Sequence, residues 1–197
     1  MVKRLFDWLA SGVGLLLLSP VLLVLALWIK LDSNGPVFFR QERVGQFGHV
    51  FHIHKFRTMV TDAERRGLQI TVGADSRVSR VGQWLRKYKL DELPQLMDVW
   101  LGHMSLVGPR PEVPRYVACY PADVRDVVLS VRPGITDRAS IEYKDENEVL
   151  GRAADPHYAY VNEVLPIKLR YCVAYVENRS FMGDLAIIFA TLRAIVR

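Results

Sequence analysis

Two adjacent acids, Asp91 and Glu92, stand in the run Leu90-Asp91-Glu92-Leu93-Pro94, the strongest chemical signal in the chain. Proline suits the first turn of a helix, where a missing N–H costs little, so the pair is placed at a helix N-terminus. Free amides and the helix dipole there favour anions, whether ionised carboxylates or an incoming phosphate. Neighbours on a helix point about 100° apart, so the two acids divide the work. One suits a nucleophile and the other a ligand for a divalent ion. The plainer alternative is that Asp91 caps the helix and Glu92 is a solvated first-turn acid.

Basic residues shift the balance towards chemistry. Arg86, Lys87 and Lys89 lie just upstream, and Arg110 is locked between Pro109 and Pro111. Lys55 and Arg57 fall on one face of a predicted strand, with His52, His54 and Phe56 on the other. Arginine offers a planar fork matched to phosphate oxygens, and lysine a point charge. Each alone also reads as a solvated surface charge or a lipid-headgroup contact. Beside a carboxylate pair they point to phosphoryl transfer, with a metal ion neutralising phosphate charge. His49, His52 and His54 lack a third ligand placed by sequence, which argues against zinc. No Walker loop, GxGxxG or nucleophile elbow is present.

The elements that position these groups begin with an apolar run, Gly12 to Ile29, interrupted by Ser19-Pro20. At about 1.5 Å per residue it reaches roughly 27 Å, slightly short of the roughly 30 Å of bilayer hydrocarbon. Proline removes a backbone donor and crowds the carbonyl four residues back, and the Ser19 hydroxyl can satisfy the group so freed. The expectation is two half-helices with a bend. Lys3 and Arg4 precede the run, while Lys30, Arg40 and Arg43 follow it. Basic flanks on both sides favour a re-entrant hairpin with both ends in the cytoplasm over a kinked single span. A signal peptide fits less well, because no small-x-small cleavage site appears.

Composition fits one globular unit. The chain has 197 residues and a formal charge of +5, with a pI near 9.3. That charge suits an anionic partner such as a membrane surface or a nucleotide. Nucleic acid is disfavoured, because no helix-turn-helix, zinc-finger or aromatic RNA-binding pattern appears. Cys119 and Cys172 belong to no metal or redox motif and read as thiols in a reducing compartment.

Strands are predicted over 37–44 and 50–59, joined as a hairpin around Gly45 and Gly48. Helices are predicted over 61–67, 78–88, 93–101, 122–130, 156–163 and 184–197, with a further strand over 139–143. Residues 106–112 read as a rigid loop. The last helix is apolar nearly all round until Arg193, which favours a membrane interface slightly over core.

Taken in order, several motifs resemble the bacterial sugar transferases called monotopic phosphoglycosyl transferases. They are Lys3-Arg4-Leu5-Phe6-Asp7, Ser19-Pro20, Lys55-Phe56-Arg57-Thr58-Met59 and Leu90-Asp91-Glu92-Leu93-Pro94-Gln95-Leu96. Ser105 to Pro111, Arg132-Pro133-Gly134-Ile135-Thr136 and Ser180-Phe181-Met182-Gly183-Asp184 complete the set. The length is similar to the family's minimal catalytic domain, without the extra N-terminal membrane helices of larger relatives.

The resemblance implies transfer of a sugar-1-phosphate from a UDP-sugar to a polyprenol phosphate such as undecaprenyl phosphate, with release of UMP. It implies Asp91 as nucleophile of a covalent phosphosugar intermediate and Glu92 as its partner, with Glu92 and Asp91 as ligands for Mg²⁺ or Mn²⁺. Ser19 and Pro20 would make the membrane bend. Arg86 and Arg110, with Lys55 and Arg57, would contact phosphate. The implied place is the cytoplasmic face of the bacterial inner membrane, among its lipids. The stretch 137–148 departs from the family pattern, which leaves the sugar open.

The expected architecture is therefore α/β, helix-rich and irregular. It comprises a re-entrant helix–break–helix over 1–30 and one integrated cytoplasmic catalytic domain over 31–197, with a small hairpin and interfacial amphipathic helices. A different class also fits: a non-catalytic anchored module whose basic domain binds anionic lipid or an acidic partner. UMP release from a UDP-sugar separates the two.

Overall fold

The computed structural model describes residues 1–63, 75–143 and 150–196. The apolar run lies in one helix, α1 (Val2–Asp32), with Pro20 inside it. The expected separation into two half-helices is thus corrected: helical backbone continues through Ser19-Pro20. The reason is local. Pro20 has no N–H to give the Leu16 carbonyl, and the Ser19 hydroxyl donates to that carbonyl at 2.8 Å instead.

Among the described residues α1 is the helix long and apolar enough to cross a membrane. It does not stand away from the rest of the protein. Asp7, Ser11, Leu25 and Ile29 are buried along it. Near its start, Trp8 stacks on Trp100 with ring centroids 4.5 Å apart. A Cβ at Gly12 would lie 2.2 Å from the Trp100 ring, so glycine there lets the indole reach the helix backbone. Near its end, Leu25 and Ile29 share a core with Phe56, Val81 and Leu85. The opposite face, including Leu16, Leu17, Leu23 and Leu27, is exposed.

The predicted hairpin forms. Strands β1 (Phe38–Val44) and β2 (Val50–Phe56) pair antiparallel with Val44 opposite Val50. Phe51 and Ile53 face inward onto Val99 and Met104. Helix α2 (Arg80–Lys87) begins with the Ser79 hydroxyl accepting from the Gly82 amide. That is the cap expected of serine. A 3₁₀ turn (Leu90–Glu92) then leads into α3 (Gln95–Leu101). The acids therefore occupy a separate turn before the helix rather than its first turn. Lys89 makes this possible by taking a left-handed conformation, φ 55°.

The loop predicted over 106–112 begins as a strand, β3 (Ser105–Val107), after which come α4 (Pro114–Val117) and α5 (Ala122–Val128). β3 pairs in parallel with β4 (Gly134–Thr136). The pairing joins two of the sequence motifs through their glycines. A Cβ on Gly134 would lie 2.1 Å from the Gly108 amide nitrogen, so these backbones approach as only glycine permits.

The strand predicted over 139–143 is instead helical, α6 (Arg138–Glu142), because the Asp137 side chain caps the Ser140 amide at 2.7 Å. The rest of the 137–148 stretch, and most of the helix predicted over 61–67, lie outside the described residues. Helix α7 (Pro156–Ala159) continues through a π-helical turn (Tyr160–Val164) into α8 (Leu165–Asn178), which the sequence reading did not assign. Helix α9 (Phe181–Val196) leaves Met182, Phe189 and Leu192 exposed while burying Asp184. A second core gathers Tyr116, Leu150, Tyr160, Leu165 and Leu169.

Candidate active site

The 3₁₀ turn brings Asp91 and Glu92 against β2 and the loop after β3. Glu92 is the hub. Its Oε1 accepts from Lys55 Nζ at 2.7 Å, and its Oε2 accepts from Arg110 Nη1 at 3.0 Å. Arg110 Nη2 also bonds Oε1, completing a two-armed fork. Burial works against the Glu92 charge, yet Arg110 and Lys55 outweigh it and hold the carboxyl well below its ordinary value. Arg110 is raised in return, chiefly by Glu92. Lys55 is lowered by burial, with Glu92 pulling the other way.

Asp91 is buried on different terms. Burial pushes its carboxyl up, Lys55 opposes this, and Glu92 adds to it. Its Oδ1 is buried without a hydrogen-bond partner among the described residues. Gln95, four residues on and 1% exposed, has both side-chain polar atoms in the same condition. Arg86, from α2, donates through Nε to the Thr58 hydroxyl at 2.8 Å. That bond ties it to the Lys55-to-Met59 motif near Asp91. Burial lowers Arg86, and Asp91 is the largest influence raising it.

Four of the expected charged residues thus gather with Lys55: Asp91, Glu92, Arg86 and Arg110. Arg57 does not join them. Its guanidinium donates to the carbonyls of Ser33, at 2.8 Å, and Asn34, so it caps the C-terminal end of α1. Free carbonyls at a helix end attract a cation, which accounts for the position. Ser19 and Pro20 lie in α1, apart from the acids in sequence and role.

Sequence reasoning missed a neighbouring half-buried group. Glu112 accepts from the Tyr160 hydroxyl at 2.5 Å and lies 3.5 Å from Lys168 Nζ and 3.8 Å from Arg43 Nη1. Arg43 Nη1 also donates to the Pro111 carbonyl at 2.9 Å, holding the loop that carries Arg110. Asp137 accepts from the Arg110 amide at 3.2 Å. The one sequence signal for Glu112 was its place directly after Pro111.

Acid should weaken this neighbouring group in a readable way. Burial pushes Glu112 up, but Lys168, Arg43 and the Tyr160 bond outweigh it, and its value falls below the ordinary 4.5. The unfolded chain therefore binds the proton first. The stability Glu112 contributes is complete above about pH 4.5 and is lost as pH falls through the folded value. Melting temperature should drop as pH falls below about 4.5, and Glu112→Gln should flatten that slope. An unchanged slope in the variant would remove Glu112 from the account.

The donor set fits a hard divalent cation at Asp91 and less well at Glu92. The Asp91 Oδ1 is an oxygen without a protein partner, whereas both Glu92 oxygens are engaged by cations. Among the described residues no three His, Cys, Asp or Glu side chains gather as a metal cage. Mg²⁺ takes one or two carboxylates and completes its shell with water and substrate phosphate, and the Asp91 oxygen would be one such ligand.

The paired acids and the converging cations thus lie in one cluster, with the apolar helix α1 packed against the turn that carries them. The family model "Bacterial sugar transferase" matches residues 1–197, and the chain belongs to that family. It is 39% identical to the UDP-N-acetylgalactosamine-undecaprenyl-phosphate N-acetylgalactosaminephosphotransferase of Aeromonas hydrophila, over 99% of this chain and 44% of that protein. It is 38% identical to the UDP-glucose:undecaprenyl-phosphate glucose-1-phosphate transferase of Klebsiella pneumoniae, over 96% of this chain and 39% of that one. With the exopolysaccharide production protein PSS of Rhizobium leguminosarum bv. phaseoli it shares 50% identity, over 97% and 93% of the two chains. The chain thus spans about two-fifths of the length of the first two relatives.

Proposed function

We propose that this chain transfers a sugar-1-phosphate from a UDP-sugar to a polyprenol phosphate such as undecaprenyl phosphate, releasing UMP through a covalent aspartyl intermediate. The observation that carries the reading is the pairing of an unpartnered, buried Asp91 oxygen with a Glu92 that holds Lys55 and Arg110 beside it.

In the first step an Asp91 carboxylate oxygen attacks the sugar-linked phosphorus. A phosphorus–oxygen bond forms, and the bond to the bridging oxygen breaks with its electron pair leaving on UMP. In the second step a phosphate oxygen of the lipid attacks the same phosphorus and the Asp91 carboxylate departs. Arg110, Arg86 and Lys55 supply positive charge to the phosphates as these bonds change. Glu92 keeps Arg110 and Lys55 oriented. A Mg²⁺ or Mn²⁺ ion held by Asp91 would withdraw charge from the diphosphate and ease departure of UMP.

A one-sided membrane arrangement is part of the proposal. Its support is that both ends of α1 are fastened to the same globular body. Lys3 and Arg4 bond to residues of α9, β3 and α3, and Arg57 caps the far end. A helix of 31 residues is about 46 Å long at about 1.5 Å per residue. With both ends held on one side it enters a bilayer shallowly, by its exposed face.

Val2, exposed beside Lys3, gives a direct test of that arrangement. Val2→Cys should resist an impermeant thiol reagent in intact cells and react after lysis. Labelling from outside would show a spanning helix. The activity itself is tested by incubating the protein with a panel of UDP-sugars, undecaprenyl phosphate and Mg²⁺. UMP release with one donor is expected, whereas a lipid-binding module releases none with any.

A further inference from the structure

Two sequence motifs take no part in the site as described: Lys3 to Asp7 at the start of α1, and Ser180 to Asp184 at the start of α9. The fold brings them together on β3. Lys3 Nζ donates to Asp184 Oδ2 at 2.6 Å and to the Val107 carbonyl at 3.1 Å. The Tyr175 hydroxyl lies 2.8 Å from Asp184 Oδ1 and 3.1 Å from the same Val107 carbonyl. Asp7 Oδ2 accepts from the Ser105 hydroxyl at 2.8 Å, and Asp7 Oδ1 accepts from the Leu106 amide at 3.2 Å. Asp7 is 2% exposed and Asp184 4%.

We propose that Lys3, Asp7, Tyr175 and Asp184 are positioning residues that fix β3, and through it set Arg110 on Glu92. Arg110 lies three residues beyond Val107 in a stretch of two prolines, so a shift of the strand carries into the guanidinium with little slack. The far side of the same loop is held independently, by the Gly108 amide on the Thr136 carbonyl at 3.1 Å and by Asp137 on the Arg110 amide. The arginine is thus clamped between β4 and the first turns of the membrane helix. Two buried acids, one lysine and one phenol are a costly way to join helices if packing alone were needed. Their shared target is a strand three residues from a catalytic cation. Seating the start of α1 and aiming Arg110 are then one event.

The inference rests on the proposed transferase reading where it speaks of turnover, so its test has an arm that does not. Tyr175→Phe and Asp184→Asn are made in the full chain, reconstituted in bilayer discs, and followed by hydrogen exchange and by UMP release. Exchange of the amides over 106–112 should speed up by about tenfold while those of Leu165–Cys172 keep their protection. Unchanged protection over 106–112 in both variants overturns the proposal, and Tyr175→Phe decides it alone if Asp184→Asn does not fold. In turnover, Asp184→Asn should lower kcat by about tenfold with donor KM changed less than about twofold. The same change made in an Arg110→Ala background should cost less than about twofold, because its route is already removed. Equal losses in both backgrounds assign the cluster a merely structural role and overturn it. Absence of UMP release from the unaltered protein would defeat the transferase reading, while the exchange arm still decides the clamp.

Discussion

Asp91→Asn should abolish both turnover and the proposed covalent adduct, the largest effect expected of any single substitution here. The amide is nearly the same size, so packing in the 3₁₀ turn is preserved and the loss is chemical. A neutral amide nitrogen or oxygen cannot displace UMP and then leave again as a carboxylate can. Loss of at least about 10⁴-fold is expected, on the scale of removing a nucleophile from an enzyme that depends on it. The kinetic corollary is a ping-pong pattern, with UMP released from the UDP-sugar before any polyprenol phosphate is added. Mass spectrometry of the donor-treated protein should find a sugar-phosphate on the peptide carrying Asp91. A requirement for both substrates before any UMP appears, with no adduct, would make Asp91 a base or a metal ligand for direct attack by the lipid phosphate.

The proposed division into two steps has a structural motive. One substrate is water-soluble and the other is confined to the bilayer, and the groups that meet phosphate converge on a single turn. In the proposed mechanism a covalent hold on the phosphosugar would let UMP depart before the lipid phosphate takes its place. It also keeps the reacting phosphorus fixed next to Arg110 and Lys55 through both displacements, where their charge acts on each transition state in turn.

Features set by local pattern were legible in the sequence, and features set by distant partners were not. The hairpin of β1 and β2 follows from alternation and a glycine-bearing loop, and α2 follows from an amphipathic stripe. The use of Ser19 to satisfy a carbonyl freed by Pro20 was also readable, because the chemistry is confined to one turn. The continuity of α1 was not: whether a proline ends a helix depends on what packs beside it.

The parallel pair β3 and β4 is only three residues long on each side and joins positions nearly thirty apart. No periodicity can announce so short a strand. Arg57 shows the same limit for a side chain. On a strand pattern it is the neighbour of Lys55 on one face, but the strand ends at Phe56 and the guanidinium turns to the carbonyls at the end of α1. Arg43, Glu112 and Lys168 each look like surface charges in sequence. Only the fold shows that they gather, largely shielded from water, around Tyr160.

Glu92→Gln is expected to cost at least about 10²-fold in turnover, through the cations rather than through the metal. In sequence terms Glu92 read as the magnesium ligand of the pair. In the fold its two oxygens face Lys55 and Arg110, both of which burial surrounds with low dielectric. Glutamine leaves these two cations with one neutral amide between them. Removing one partner of a shielded ion pair leaves the other charges uncompensated, so the cations move apart or towards water, and both are misplaced for phosphate. The measurement that separates the roles is the rate as a function of Mg²⁺ concentration. If Glu92 positions Lys55 and Arg110, the variant has a lower ceiling but reaches half of it at nearly the same Mg²⁺ concentration as the unaltered protein. If Glu92 is a metal ligand, that concentration rises by about 10-fold or more and added Mg²⁺ restores activity. Full activity of the unaltered protein in excess chelator would remove the metal from the mechanism. Arg110, Arg86 and Lys55 would then stand as the charges drawing electrons from the diphosphate. Arg110→Lys tests the fork itself, because lysine keeps the charge but not the two-armed contact with Glu92. A loss similar to that of Glu92→Gln, at an unchanged Mg²⁺ requirement, would identify the geometry of the pair as what the site depends on.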